Sequence, residues 1–241
     1  RRIDAETMTI TVPVPRPETR WTRRKDARPA ELLAAALDLF VERGYAATRL
    51  DDVARRAGVS KGTLYLYFES KEELFKAVIR GGLVPAIQRN ERLVQDHAGT
   101  MADLLEKIIR NWWQDVGNSQ IGGIPKLMFA EARNFPDLAH FYQQEVINRG
   151  YKLVGEVVEL GQRRGEFPPM DTEHATRIVL APLVFLLLWR HSFDGCDGTR
   201  IDPEAYLRVH LGIILDGLRG RPSNEPAKAP RTAADPATSR R

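Results

Sequence analysis

Residues 60–68 read Ser-Lys-Gly-Thr-Leu-Tyr-Leu-Tyr-Phe, bringing two aliphatic hydroxyls, an ammonium group and two phenols into one short stretch. Such a set suits gripping a polyanion rather than breaking a bond. The hydroxyls of Ser60 and Thr63 suit phosphate oxygens, as do backbone N–H groups at a helix N-terminus. Lys61 can meet a phosphate or a guanine edge, and Gly62 lets the backbone come close. Tyr65 and Tyr67 offer an aromatic body with a hydroxyl tip, fit for a phosphate or a thymine methyl. Leu64 and Phe68 read as core, and Tyr67 as partly core.

Those residues need elements to present them. Thr48-x-x-Asp51 has the form of a capping box, which predicts a helix start there. Leu50, Val53, Ala54 and Ala57 follow at helical spacing and form one apolar face. Gly58 then supplies a positive φ at the turn, Val59 plugs the corner, and Ser60 caps the next helix, whose inward face is Leu64 and Tyr67. This is the pattern of a helix-turn-helix, with its second helix shaped for a DNA major groove. A preceding helix is predicted from Pro29, with a stripe of Leu32, Leu33, Ala36, Leu37, Leu39 and Phe40 closed by Gly44. A following helix is predicted from Ser70, with Glu73 completing a second capping box and Leu74, Phe75, Val78 and Ile79 facing inward. Gly81-Gly82 and Pro85 predict a kink or break near 81–85.

The run AGVSKGTLYLYFESKEELF resembles the signature of the tetracycline-repressor (TetR) family of bacterial transcriptional regulators. The matching positions are Gly44-Tyr45, Thr48, Ala54, Ala57-Gly58-Val59-Ser60, Gly62, Leu64-Tyr65, Tyr67-Phe68, Lys71-Glu72 and Leu74, within residues 28–80. The resemblance implies DNA contacts from Ser60, Lys61, Gly62, Thr63, Tyr65, Leu66, Tyr67 and Lys71, with Thr48 and Arg49 from the preceding helix. Arg49 stands where the family more often has a small hydroxyl residue, and Leu66 where it often has His or Tyr. The implied fold is all-α: an N-terminal three-helix helix-turn-helix DNA-binding domain and a C-terminal helical domain for ligand binding and dimerisation.

The 241 residues carry a formal charge of +4, a statement about the ends of the chain. Residues 1–28 hold eight Lys/Arg against four Asp/Glu, and residues 221–241 hold five against two, so the middle is net negative. Charge alone makes no case for nucleic acid. The single Cys196 excludes an intramolecular disulfide framework and fits a reducing cytosol. No apolar leader is evident, and the longest apolar run, 178–189, reads as too short to span a bilayer. A cytoplasmic protein without a membrane partner is expected. The expected organisation is a flexible basic arm over 1–25, the DNA-binding domain over 26–86, the effector-binding and dimerisation domain over 87–220, and a disordered tail over 221–241. Arg20, Arg23, Arg24, Lys25 and Arg28 of the arm either reach phosphates or the minor groove, or belong to an incidental chain end.

Helices are predicted over 86–97, 101–116, 121–134, 136–164, 172–193 and 203–219, with Asp202-Pro203-Glu204 as a firm start. In the resembled fold Met101, Leu105, Trp112, Trp113, Met128, Phe129, Phe141 and Tyr142 surround a central cavity. They are either plain core or the wall of a site for a small, largely apolar effector. Glu131, Arg133 and Gln143 are the polar anchors considered. Apolar residues run almost all round 178–189, more than one inward stripe requires. That pattern permits burial on two sides, and the resemblance implies a homodimer interface on Leu183, Leu186, Leu187, Arg190 and His191, with Tyr206, Val209, His210, Ile213 and Ile214. Catalytic and metal sites and cofactors are not expected: the five histidines are dispersed, and neither a Gly-rich phosphate loop nor a nucleophile elbow is present. The expected function is a sequence-specific regulator released by its effector from a near-palindromic double-stranded operator. The alternatives are an activator, a regulator controlled by a partner protein, or a small-molecule binder without specific DNA affinity.

Overall fold

A computed structural model describes residues 20–196 and 200–219, with side chains from residue 29 onward. Ten α-helices make up the described chain, and no strand occurs among these residues. The fold is all-α. The chain divides into two units between Val78 and Ile79, inside the fourth helix.

The first unit holds α1 (Arg20–Ala47), α2 (Leu50–Arg56), α3 (Lys61–Tyr65) and the start of α4 (Lys71–Asp96). Its core is set by Leu32, Leu39, Phe40, Leu64, Leu74 and Phe75, all essentially buried. Phe40, Tyr45 and Phe75 form an aromatic knot with ring centroids 5.1–5.7 Å apart, in edge and stacked arrangements that add to their burial. Burial pushes the Tyr45 phenol up to about 12, with the nearby Glu72 carboxylate adding to the effect. Gly44, at φ 82°, breaks the helical path of α1 and turns the chain toward α2.

Three local expectations change here. Helix α1 begins by Arg20 rather than at Pro29, so Arg20, Arg23, Arg24 and Lys25 have helical backbone instead of belonging to an arm. Pro29 sits inside the helix, where it forfeits one backbone hydrogen bond. Residues 1–19 and the tail over 221–241 lie outside the described residues. The capping box at Thr48 does not form: α2 starts at Leu50 after Arg49, and Thr48 turns inward. The second box forms in half, with Ser70 Oγ accepting from Glu73 N at 3.1 Å.

The second unit contains the rest of α4, then α5 (Met101–Trp112), α6 (Gly123–Glu131), α7 (Pro136–Tyr142), α8 (Asn148–Arg163), α9 (Thr172–Arg190) and α10 (Pro203–Arg219). Its core gathers Leu104, Leu105, Ile109 and Trp113 with Val154, Val157 and Val158, and with Val179, Leu183, Leu186 and Leu187. Helix α9 is long and apolar enough, by length and composition, to cross a membrane, which corrects the reading of 178–189 as too short. Its buried stripe is nevertheless that of a core helix. Two predicted helices are interrupted by π-helical turns, at Trp113–Gly117 after α5 and at Gln143–Ile147 between α7 and α8. The segment 121–134 resolves into a short 3₁₀ turn, Gln120–Gly122, and α6. Asp171 caps α9 through His174 N, and Asp202 caps α10 through Glu204 N.

The expected break at 81–85 is absent: α4 runs through Gly81, Gly82 and Pro85. Gly82 is there for space rather than flexibility, since a Cβ on it would lie 2.7 Å from Cδ1 and Cγ1 of the buried Ile121. The two explanations predict opposite signs. A helix weakened by glycine gains up to about 1 kcal/mol from Gly82→Ala, whereas a close-packed glycine loses about 1–3 kcal/mol through overpacking. Urea unfolding of Gly82→Ala is expected to give the loss, relieved when Ile121→Val is added.

Candidate nucleic-acid interface and ligand cavity

Helix α3 has only five residues and owes its position to its ends. Gly58, at φ 66°, makes the turn, and a Cβ there would meet nothing within 4 Å. Glycine is thus required by the backbone conformation rather than by space. Val59 N donates to Ala54 O at 2.9 Å, closing the corner. Ser60 Oγ accepts from Thr63 N at 3.1 Å and lies 2.8 Å from Thr63 Oγ1. The two hydroxyls predicted for phosphate therefore first serve as the helix cap. The buried Leu64 anchors the helix, while Lys61, Gly62, Tyr65 and Leu66 are exposed on its outer side, Leu66 at 83 %.

Lys61 is paired with Asp51 of α2, Nζ to Oδ1 at 2.8 Å, and lies 5.9 Å from the Tyr65 ring centroid. The hydrogen bond to Asp51 raises the Lys61 pKa, with the carboxylate's charge adding to it. The ammonium is accessible, and Asp51 holds it beside the exposed strip. In the sequence Asp51 read only as the capping-box partner of Thr48, which left its pairing with Lys61 unseen.

The other expected contacts divide. Arg49 is exposed immediately before α2. Thr48, 1 % exposed, donates its hydroxyl to Gly44 O at 2.7 Å and Leu39 O at 3.1 Å. Its side chain is spent on tying the α2 entry to α1 and presents no hydroxyl to a ligand. Lys71 Nζ donates to Tyr45 O at 2.8 Å and Ala46 O at 3.2 Å and lies 4.4 Å from the Tyr45 ring centroid. In this arrangement it closes the C-terminal end of α1. Tyr67 and Phe68 are half-buried.

In the second unit a cavity of about 150 Å³ lies among α4, α5, α6, α7, α8 and α9. Of the predicted wall residues Trp112, Phe129 and Tyr142 border it. Met101, Leu105 and Trp113 instead belong to the packed core, and Met128 is buried away from the cavity. Phe141 lies against the Arg80 guanidinium, 4.9 Å from carbon to ring centroid. Helical spacing alone did not separate the faces of α5, whose apolar residues point in two directions. None of the considered anchors, Glu131, Arg133 or Gln143, borders the cavity; Asn90 does. Asn90 is buried, donates to Ala86 O at 3.1 Å and accepts from Asn111 Nδ2 at 3.4 Å. Its signal was legible as a polar residue in register with apolar Ile87 and Val94. Among the described residues no three metal-binding side chains cluster.

The last two helices also rearrange the expectation. Leu183, Leu186 and Leu187 are buried within their own unit and are not free for a partner. His210 is likewise turned inward, Nε2 lying 3.1 Å from Val179 O, and burial lowers its pKa. Arg190 donates to Gly117 O at 2.8 Å, and His191 is half-buried. On α9 the exposed apolar residues are Ile178 and Phe185 instead, whereas on α10 the expected Val209 and Ile213 are exposed, at 62 % and 68 %. Tyr206 and Ile214 are partly buried, and the Tyr206 ring stacks on Phe185 with centroids 6.4 Å apart.

Comparison with known proteins settles the family. Residues 32–78 match the sequence model of the bacterial regulatory proteins, tetR family. The HTH-type transcriptional regulator RutR of Escherichia coli is 48% identical over 218 residues, covering 83% of this chain and 94% of that protein. The chain belongs to the TetR family. The HTH-type transcriptional repressor KstR2 of Rhodococcus jostii is 28% identical over 201 residues, covering 82% of this chain and 94% of the relative. Among solved structures, the transcriptional regulator FadR from Bacillus subtilis in complex with stearoyl-CoA superposes with a TM-score of 0.67 at 19% identity, covering 78% of this chain and 98% of that one. This member of the family is a helix-turn-helix DNA-binding transcriptional regulator.

The geometry around Lys61 gives a test of opposite signs. Lys61→Ala is expected to weaken DNA binding and reduce the slope of log affinity against log salt by about one. Asp51→Asn removes a carboxylate that competes with phosphate for the same ammonium. It is expected to tighten binding severalfold at low salt. Fluorescence anisotropy on operator DNA across a salt series reads both.

Proposed function

We propose that this chain is a dimeric, cytoplasmic repressor whose first unit reads a near-palindromic operator and whose second unit binds a small, largely apolar effector that releases it. The observation carrying the reading is the exposed strip of Lys61, Gly62, Tyr65 and Leu66 on a helix capped at its start by Ser60 and anchored by the buried Leu64. Such a strip suits contacts to phosphates and base edges, with the exposed Arg49 and the half-buried Tyr67 as further candidates. Ser60 and Thr63 contribute by capping that helix. The buried Thr48 and the carbonyl-bound Lys71 act by positioning it.

Support for effector control comes from the apolar cavity, and from a structural neighbour whose solved complex contains stearoyl-CoA. A ligand acts by favouring one arrangement of the dimer over another, so operator release measures its differential affinity for the two. The dimer surface proposed is the exposed apolar set Ile178, Phe185, Val209 and Ile213, with Tyr206 and Ile214 at its margin. An unpaired apolar face of that kind is characteristic of association surfaces. A two-fold axis through it repeats the recognition helix and calls for half-sites about one DNA turn apart, or a multiple of it.

A gel shift with DNA upstream of the chain's own gene, against scrambled competitor, tests the DNA reading. Specific retention is expected, lost in Lys61→Ala plus Tyr65→Ala; equal retention of both DNAs, lost steeply with salt, would leave only nonspecific charge attraction. For the dimer, Ile213→Glu is expected to yield a folded monomer by light scattering, with operator affinity reduced at least about a hundredfold because one half-site is lost. A dimer unchanged by Ile213→Glu and by Val209→Glu would move the interface elsewhere.

A further inference from the structure

The cavity of the second unit restricts its occupant more closely than the word apolar does. Its volume is about 150 Å³, and an engineered protein cavity of about that size, lined by Leu, Ile and Phe, takes up benzene. The inner space is therefore on the scale of one ring. No charged side chain borders it. The charged neighbours of Asn90 on α4 are engaged elsewhere: Arg89 with Asp115 at 2.7 Å, and Glu91 with Arg149 at 2.7 Å. An ionised ligand would leave water without finding a countercharge.

The wall nevertheless has a buried polar group with unused capacity. Asn90 is 1 % exposed, and an amide carries two N–H donors and two acceptor lone pairs. One donor is used on Ala86 O and one acceptor on Asn111 Nδ2. One N–H and one lone pair remain, on a residue that borders the cavity. The backbone is also irregular here. Tyr142 and the π-turn residues Val146 and Ile147 border the cavity on one side. Trp112, immediately before the other π-turn, borders it as well. Single π-turns inside helices occur frequently at functional sites.

We propose that the cavity binds an uncharged single-ring molecule bearing one hydroxyl or carbonyl group, which pairs with the Asn90 amide while Ile108, Ile109, Leu180 and Val184 enclose the ring. The proposal rests on the reading above that the second unit holds the effector. It adds the ligand's charge, its size and the residue that selects its polar group. Asn90 is thus a specificity residue of the cavity.

The test is a calorimetric titration of the full chain with phenol, toluene, benzoate and stearoyl-CoA, with operator affinity measured in parallel. Phenol is expected to bind one per chain, roughly fivefold to tenfold tighter than toluene, the advantage of about one net hydrogen bond. Benzoate is expected to bind weakest of the three ring compounds. In Asn90→Leu, which keeps the branching and the number of side-chain heavy atoms but has no polar group, phenol loses its advantage while toluene still binds; should that variant not fold, the order in the unaltered protein decides. Equal affinity for phenol and toluene, benzoate bound as tightly as phenol, or binding of stearoyl-CoA alone would each overturn the proposal. Phenol binding in the expected order with operator affinity unchanged would uphold the cavity chemistry and sink the effector reading. Operator release by stearoyl-CoA without phenol binding would do the reverse.

Discussion

A helix of five residues has no stability of its own, because it cannot recover the cost of nucleation. Helix α3 is such a helix, and the first unit depends on overcoming that constraint. One side is held by Leu64, buried against a core that includes the Phe40–Tyr45–Phe75 knot. Its start is held by the Gly58 turn and the Ser60 cap, and the entry to α2 by Thr48 reaching back to Gly44 and Leu39. Lys71 completes the frame by binding the carbonyls at the end of α1. Residues that resemble DNA contacts by position thus divide into those that present chemistry and those that hold the presenting backbone still.

The second unit solves a different problem. A packed helical core has few voids, and a polar group inside one is costly unless paired. Here the void and the polar group coincide at Asn90, which suggests a function rather than imperfect packing. The π-turns beside it widen the helical path, and the ion pairs of Arg89 and Glu91 fix the helix that carries the amide. Outside the core, α9 and α10 keep exposed apolar side chains that their own unit does not cover.

Much of the first unit was legible in the sequence because its determinants are local. The Gly58 turn, the Ser60 cap, the inward Leu64 and the start of α4 after Ser70 each depend on neighbours a few residues away. The all-α class and the firm start of α10 at Pro203 were legible for the same reason. Thr48 shows the limit of such reasoning. Its spacing to Asp51 satisfies a capping pattern, yet two carbonyls of α1 compete for the same hydroxyl and prevail. Gly82 shows the same limit: glycine in a helix reads as weakness until the Ile121 side chain is seen against it.

By itself the sequence determined the periodicity of the helices, the turn chemistry and the set of side chains able to meet a polyanion. Only the tertiary structure decided which face of an apolar helix is core and which is surface. Helix α9 is apolar almost all round, so its composition indicated burial on two sides without saying where. Packing against the rest of the unit turned Leu183, Leu186 and Leu187 inward and left Ile178 and Phe185 outside. Likewise Asn90 gains its meaning from Ala86, Asn111 and an adjacent void. The void is created by several helices at once, so no local pattern could have announced it.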